Sequence, residues 1–317
     1  MRKLLAALVA LIAFAAPAHA WQDRSARNGD VTINYHVEGR AADPIVIMLH
    51  GFPDFSGSWR ALSGDLARAR YRTIAVDMRG YNGSSAPAGV ENYTFAHLMG
   101  DIDAVLNAEA PGRSATVIGH DWGAAVAWQY AMTRPDRVKN LVIISVPHPA
   151  GFAREMATNA EQQRKIEYAS QFQQAGDENA LTAEGLAGWA PEARRAEYVA
   201  AFRRSNFAAM LNYYRANYPQ TTGASLQQQQ AQLASLPPIQ SPVLVIHGLN
   251  DTALNAAGHN GTWDHVARDT TVMVLPGAGH WAHLDRADLV NPTIVNWLAL
   301  RNADTDVVSV GNRRGQR

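Results

Sequence analysis

The sequence predicts an α/β architecture: a mostly parallel sheet flanked by helices, with a helical cap inserted late in the chain. Short apolar runs alternate with helix-forming stretches, the rhythm of parallel strands joined by crossover helices. That rhythm stops between Pro147 and Pro238, where Ala, Gln, Glu and Arg dominate and β character is almost absent. Two more apolar runs and a closing helix then complete the pattern.

At the N-terminus, Arg2 and Lys3 precede the apolar run Leu4–Ala16, and Ala18-His19-Ala20 closes it with small residues. This is the pattern of a signal peptide over residues 1–20, too short and wrongly flanked for a membrane anchor. The expected mature chain starts at Trp21, is slightly acidic, and is secreted or periplasmic. Val31–Val37 alternates with a period of two, as an antiparallel edge strand would. Ile45–Leu49, Thr73–Val76, Ala115–Ile118, Leu141–Ile144, Val243–Ile246 and Thr271–Leu275 are continuous apolar runs, the pattern of strands buried on both faces. Helices are expected near Trp59–Arg70, Thr94–Ala108 and Ala124–Thr133. The closing helix, Leu289–Leu300, would carry Asn291-Pro292 in its first turn. The domain reading is therefore core over 21–146 and 239–301, cap over 147–238, and a flexible tail over 302–317. Gln227–Gln230, before Pro237-Pro238, reads as a polar helix end returning to the core.

Composition narrows the functions. The 317 residues are 47% hydrophobic and 18% charged, with 28 basic and 28 acidic side chains. The chain can bury a sizeable core, and its neutral balance gives no electrostatic footprint for nucleic acid. The absence of cysteine excludes disulfides, a thiolate nucleophile and thiolate metal sites. No cofactor, no metal and no stable membrane insertion are expected.

The strand Ala115–Ile118 runs into Gly119-His120-Asp121-Trp122-Gly123 and then an apolar helix. Strand, sharp turn and helix, with glycines two positions either side of a reactive side chain, make a nucleophile elbow. A helix N-cap would also place aspartate here. The chemistry of an aspartate nucleophile is distinctive. Serine attacking a saturated carbon would leave an ether, whereas a carboxylate leaves an alkyl ester that water can release. The elbow points to displacement at saturated carbon, in epoxides or alkyl halides. Water activation needs a base, and Gly277-Ala278-Gly279-His280-Trp281 places His280 just after the last strand. Asp251 follows the strand Val243–Ile246 and would orient that imidazole. The order nucleophile, acid, histidine supports these roles over Asp264 and Asp269, which precede the last strand. A metal set of His280, His283 and Asp285 rests on spacing alone. The oxyanion donors would be the N–H groups of Trp122 and of Phe52, in His50-Gly51-Phe52-Pro53. Phe52-Pro53 is also a candidate cis peptide. His50 and His120 read as loop supports and His148 as a hinge-loop residue at the cap entrance.

These segments resemble the hydrolase domain of the soluble epoxide hydrolases, within the α/β-hydrolase superfamily. The resemblance also covers Asp77-Met78-Arg79-Gly80-Tyr81-Asn82-Gly83-Ser84-Ser85-Ala86-Pro87, Leu211-Asn212-Tyr213-Tyr214-Arg215 and Gly279-His280-Trp281. It extends over nearly all of the chain from Trp21 to about residue 300. It implies an epoxide and water as substrates and two cap tyrosines, Tyr168 and Tyr214, that bond the epoxide oxygen. Helical spacing independently puts Phe207, Met210, Leu211, Tyr214 and Tyr218 on one apolar stripe, with Tyr213 off it. The alternatives are a haloalkane or haloacetate dehalogenase, which shares the aspartate machinery, and a secreted binding protein with little catalysis. The haloacetate enzymes carry an arginine after the aspartate, where this chain has Trp122.

Overall fold

The computed structural model describes residues 21–218 and 237–314, with side chains as far as Arg301. The segment expected as a signal peptide and the Gln227–Gln230 run lie outside the described residues. Among these residues the strands β1 (Gln22–Asn28), β2 (Val31–Glu38), β3 (Ile45–Leu49), β4 (Arg72–Val76), β5 (Ala115–His120), β6 (Val138–Ile144), β7 (Val243–Gly248) and β8 (Thr270–Leu275) form one sheet. Its order is β1-β2-β4-β3-β5-β6-β7-β8. β2 pairs antiparallel with β1 and β4, and all other pairings are parallel.

Helices α1 (Arg60–Arg68), α2 (Phe95–Glu109) and α3 (Trp122–Thr133) connect the strands. The cap comprises α4 (Pro149–Thr158), α5 (Ala160–Lys165), α6 (Glu167–Phe172), α7 (Ala183–Leu186), α8 (Glu192–Arg204) and α9 (Phe207–Asn217). After β8 come α10 (Ala282–Asp285) and α11 (Ala287–Arg314). The period of two along each strand divides the interior. Ile45, Ile47 and Leu49 of β3 join Val243 and Val245 of β7 in a core with α2, α3 and the cap. Val46, Met48, Leu244 and Ile246 point the other way, onto α1 and α11.

Four expectations are corrected. Val31–Val37 is a strand but not the edge, because β1 pairs with it along its whole length, Gln22 opposite Val37 and Asn28 opposite Val31. Only Ala26 of β1 is buried, and a polar edge strand offers no hydrophobic alternation to read. Thr271–Leu275 is apolar yet not buried on both faces; β8 is the other edge, and Val272 and Val274 stay 40% and 46% exposed. The closing helix begins at Ala287, which puts Pro292 inside it rather than in its first turn. It continues to Arg314 rather than ending at Leu300. Polar composition does not stop a helix that is already nucleated, since each added residue gains a backbone bond.

β4 and β5 lie on opposite sides of β3, so the connections leaving the strand ends diverge there and open a crevice. The loops after β3, β5, β7 and β8 meet at that end of the sheet, beneath the cap.

Candidate active site

Asp121 lies between β5 and α3 with φ 50° and ψ −124°. A side chain rarely tolerates that backbone, and the surrounding glycines make it attainable. A Cβ on Gly119 would meet the Gly123 carbonyl oxygen, one on Gly123 would meet that of Leu49, and one on Gly51 would meet Asp121 itself. Asp121 occupies the N-cap position of α3, yet its carboxylate makes no capping bond. Its oxygens turn elsewhere. Oδ1 accepts the Phe52 N–H at 2.7 Å, and Oδ2 lies 3.3 Å from His280 Nε2.

The other ring nitrogen of His280, Nδ1, is 2.8 Å from Asp251 Oδ2. Asp251 Oδ1 accepts the N–H groups of Ala253 at 2.7 Å and Leu254 at 2.9 Å, which fixes its plane. Asp121, His280 and Asp251 are thus brought together. The rival acids are not: Asp269 pairs with Arg301, and Asp264 is exposed.

Burial disfavours the charged form of each group, and their mutual attraction overcomes it. His280 is pulled down by burial but pushed well above the ordinary histidine range by the Asp251 charge and by its bonds to both carboxylates. Burial likewise raises Asp121 and Asp251, and His280 holds both below the usual carboxylate range. The resting triad is therefore two carboxylates around an imidazolium. The Phe52 N–H already addresses the Asp121 carboxylate, and Trp122, first in α3, has no intrahelical acceptor for its own N–H. Phe52-Pro53 is cis.

Tyr214 on α9 is 3% exposed and Tyr168 on α6 half-buried, with ring centroids 6.3 Å apart. Tyr214 meets Phe52, Trp122 and Phe172 edge-on at 5.6, 5.0 and 5.2 Å. Burial first, and then neighbouring charge including Asp121, pushes both phenols above their ordinary value, so each keeps its proton. Tyr213 also turns inward, against the one-stripe reading. α9 is enclosed on two sides, and the Tyr213 hydroxyl donates to the Arg79 carbonyl oxygen at 2.8 Å.

The remaining histidines shape loops. His50 Nε2 accepts the Met78 N–H at 3.0 Å, with Nδ1 donating to the Gly51 carbonyl oxygen. His148 caps α4 through the Ala150 N–H and stacks on His265 at 4.3 Å. His120 Nε2–H donates to the His280 carbonyl oxygen at 2.9 Å. The metal set His280–His283–Asp285 does not form: both His280 nitrogens face the triad, and Asp285 accepts the Gly279 N–H. A different trio, Asp54, His120 and His283, is buried with one ligand atom each within 4.8 Å. It suits a cation poorly, because burial pushes Asp54 up to about 8 and the charged His280 ring lies 4.9 Å from that of His120.

Sequence reading missed several supports. Arg79 forks onto Asp101 at 2.8 and 2.6 Å inside the core, a pair too far apart in sequence to announce itself. Trp189 of the cap stacks on Trp281 at 3.8 Å. Gln162 and Lys165 of α5 reach the loop of Asp251.

A family model of the α/β-hydrolase fold matches residues 44–287. The chain belongs to the α/β-hydrolase family. Its relatives include the epoxide hydrolase 3 of Siraitia grosvenorii, 30% identical over 84% of this chain and 95% of that protein. An epoxide hydrolase of Caballeronia sordidicola is 35% identical over 60% of this chain and 69% of its own. Among solved structures, an inhibitor complex of the Bacillus megaterium epoxide hydrolase superposes with a TM-score of 0.80 at 29% identity. It covers 88% of this chain and 100% of that one.

Proposed function

We propose that the protein hydrolyses epoxides to vicinal diols through an ester on Asp121. The observation that carries this reading is an aspartate, not a serine, at the elbow, with a histidine–acid pair behind it and two protonated phenols from the cap nearby. Asp121 attacks an epoxide carbon, the carbon–oxygen bond breaks, and a proton from Tyr214 or Tyr168 goes to the departing oxygen. The protonated His280 restores the phenol and so becomes a base. It then takes a proton from water as the oxygen adds to the ester carbonyl carbon. The N–H groups of Phe52 and Trp122 hold the resulting oxyanion. On its collapse the proton of the added hydroxyl passes to the departing alkoxide, which leaves as the diol and restores the Asp121 carboxylate beside protonated His280.

A panel of styrene oxide, an aliphatic epoxide and bromoacetate tests this. Diol is expected from the epoxides, whereas halide release without diol would favour the dehalogenase reading. His280→Gln should accumulate a substrate-mass adduct on the intact protein and Asp121→Asn none. No turnover of any member would leave the binding-protein reading.

The protein is further proposed to be exported, with cleavage after Ala20, on the strength of the basic pair, apolar run and small residues of its first twenty positions. Mass spectrometry of the exported product should find Trp21 first; a product starting at Met1 would overturn this. No described helix is long and apolar enough to cross a membrane.

A further inference from the structure

The loop that carries the triad acid is gripped from the cap. Gln162 on α5 is 1% exposed, and its amide binds the loop as another peptide unit would. Nε2 donates to the Ala253 carbonyl oxygen at 2.8 Å, and Oε1 accepts the Asn255 N–H at 2.7 Å. Lys165, at the end of the same helix, donates through Nζ to the Asp251 carbonyl oxygen at 2.9 Å and to Asn255 Oδ1 at 2.6 Å. The other side of the loop faces the triad. The Ala253 and Leu254 N–H groups hold Asp251 Oδ1 while Oδ2 meets His280. Residues 251–255 form no helix or strand of their own.

We propose that Gln162, assisted by Lys165, is a positioning residue for Asp251, fixing from the cap how the triad carboxylate sits against His280. The inference rests on the hydrolytic cycle above. The Asp251 turn satisfies Oδ1 with its own amides, so those bonds survive if the loop tilts as a unit. From the cap, Gln162 and Lys165 anchor this loop at Asp251, Ala253 and Asn255, while the His247 ring reaches the Leu254 backbone from the core. The base is held separately, its carbonyl oxygen accepting from His120 Nε2 at 2.9 Å and from Ser145 Oγ at 2.6 Å. Loosening the acid loop therefore moves Asp251 relative to His280 rather than carrying both along. His280 faces Asp121 and Asp251, with His120, His247 and His283 behind it kept uncharged, burial being the first cause.

Gln162→Met keeps the side chain's length and removes both hydrogen bonds. In single turnovers of the full-length protein, hydrolysis of the Asp121 ester is expected to slow roughly tenfold, the scale of one or two lost buried hydrogen bonds. Its ascending pH limb should move to lower pH, because a displaced Asp251 raises the imidazole less. Alkylation, which does not use the His280–Asp251 pair as base, should change by less than about twofold on the same scale. Hydrogen exchange at the amides of residues 253–255 should quicken. Lys165→Met should act in the same direction and carries the test if Gln162→Met fails to fold. Equal losses in both half-reactions with an unmoved pH limb would mean that the clamp only holds the cap, and would overturn the proposal. Unchanged exchange at residues 253–255 would overturn it too, whereas a wild type that forms no ester with any epoxide would overturn the hydrolytic cycle instead.

Discussion

Tyr214→Phe separates the chemistry of the cap from its packing. The ring stays in place among Phe52, Trp122 and Phe172, whose centroids lie 5.0–5.6 Å away, so the burial of this 3% exposed side chain is kept. Only a hydroxyl is lost, and one neutral hydrogen bond is worth about 1 kcal/mol of net stability. An epoxide oxygen leaves as a strongly basic alkoxide, so losing its proton donor should slow ring opening by roughly 10²–10⁴-fold. That corresponds to about 3–5 kcal/mol of barrier. The kinetic loss should thus exceed the folding loss several times over. Rapid quenching and intact mass would follow alkylation of Asp121, with chemical denaturation alongside. A halide departs as a stable anion, so any alkyl-halide side activity should fall far less. Equal losses with both substrate types would make Tyr214 a packing residue, and unchanged ring opening would remove it from the mechanism. Tyr168→Phe should show the same pattern, and the double variant should leave almost no epoxide opening.

Other consequences are as concrete. His280 should remain protonated through neutral pH in the resting protein, and Asp121→Asn, which removes a charge and a hydrogen bond that raise it, should lower its titration in NMR spectra. Esterification of Asp121 removes the same two influences, so ester hydrolysis should rise with pH along a limb lying below the resting titration of His280. An invariant rate across that limb would exclude His280 as the base. Gly123→Ala drives a Cβ into the Leu49 carbonyl oxygen and should cost about 1–3 kcal/mol of stability by denaturant melts, together with activity, because the elbow must shift. Asp101→Asn strands the Arg79 guanidinium, 2% exposed, and should cost about 3–5 kcal/mol in the same melts.

The legible parts of this protein are those written locally. The glycines around Asp121 are read directly, because an elbow demands them at fixed offsets, and the strand-end positions of Asp251 and His280 follow from element order. Period-two division of β3 and β7 between two cores is equally direct. What stayed hidden is what depends on a partner far along the chain. β1 is polar because it is an edge, and only its pairing with β2 reveals it as a strand. β8 is apolar although it is an edge, so hydrophobicity alone misplaced it. Tyr213 looked outward on a helix with one apolar face, but α9 meets a second surface at Arg79. Gln162 and Lys165 look like solvated helix residues until the acid loop lies across them.

In the proposed cycle the triad's charges make ester formation its own switch. Before attack, His280 bears a proton between two carboxylates and cannot accept another, so water is not activated while Asp121 is free. Ring opening turns Asp121 into a neutral ester and leaves a phenolate in the cap. The phenolate is the stronger base in a site where the imidazolium has just lost one of its two stabilising anions, so the proton passes from His280 to the phenol. The same event therefore resets the cap acid and creates the base that the second step requires. Asp251 alone then holds the neutral imidazole in the tautomer that points Nε2 at water. A serine nucleophile would bring no charge to cancel, and neither the resting imidazolium nor its discharge on alkylation would follow. The aspartate thus does more than choose a hydrolysable bond: its loss of charge orders the two half-reactions.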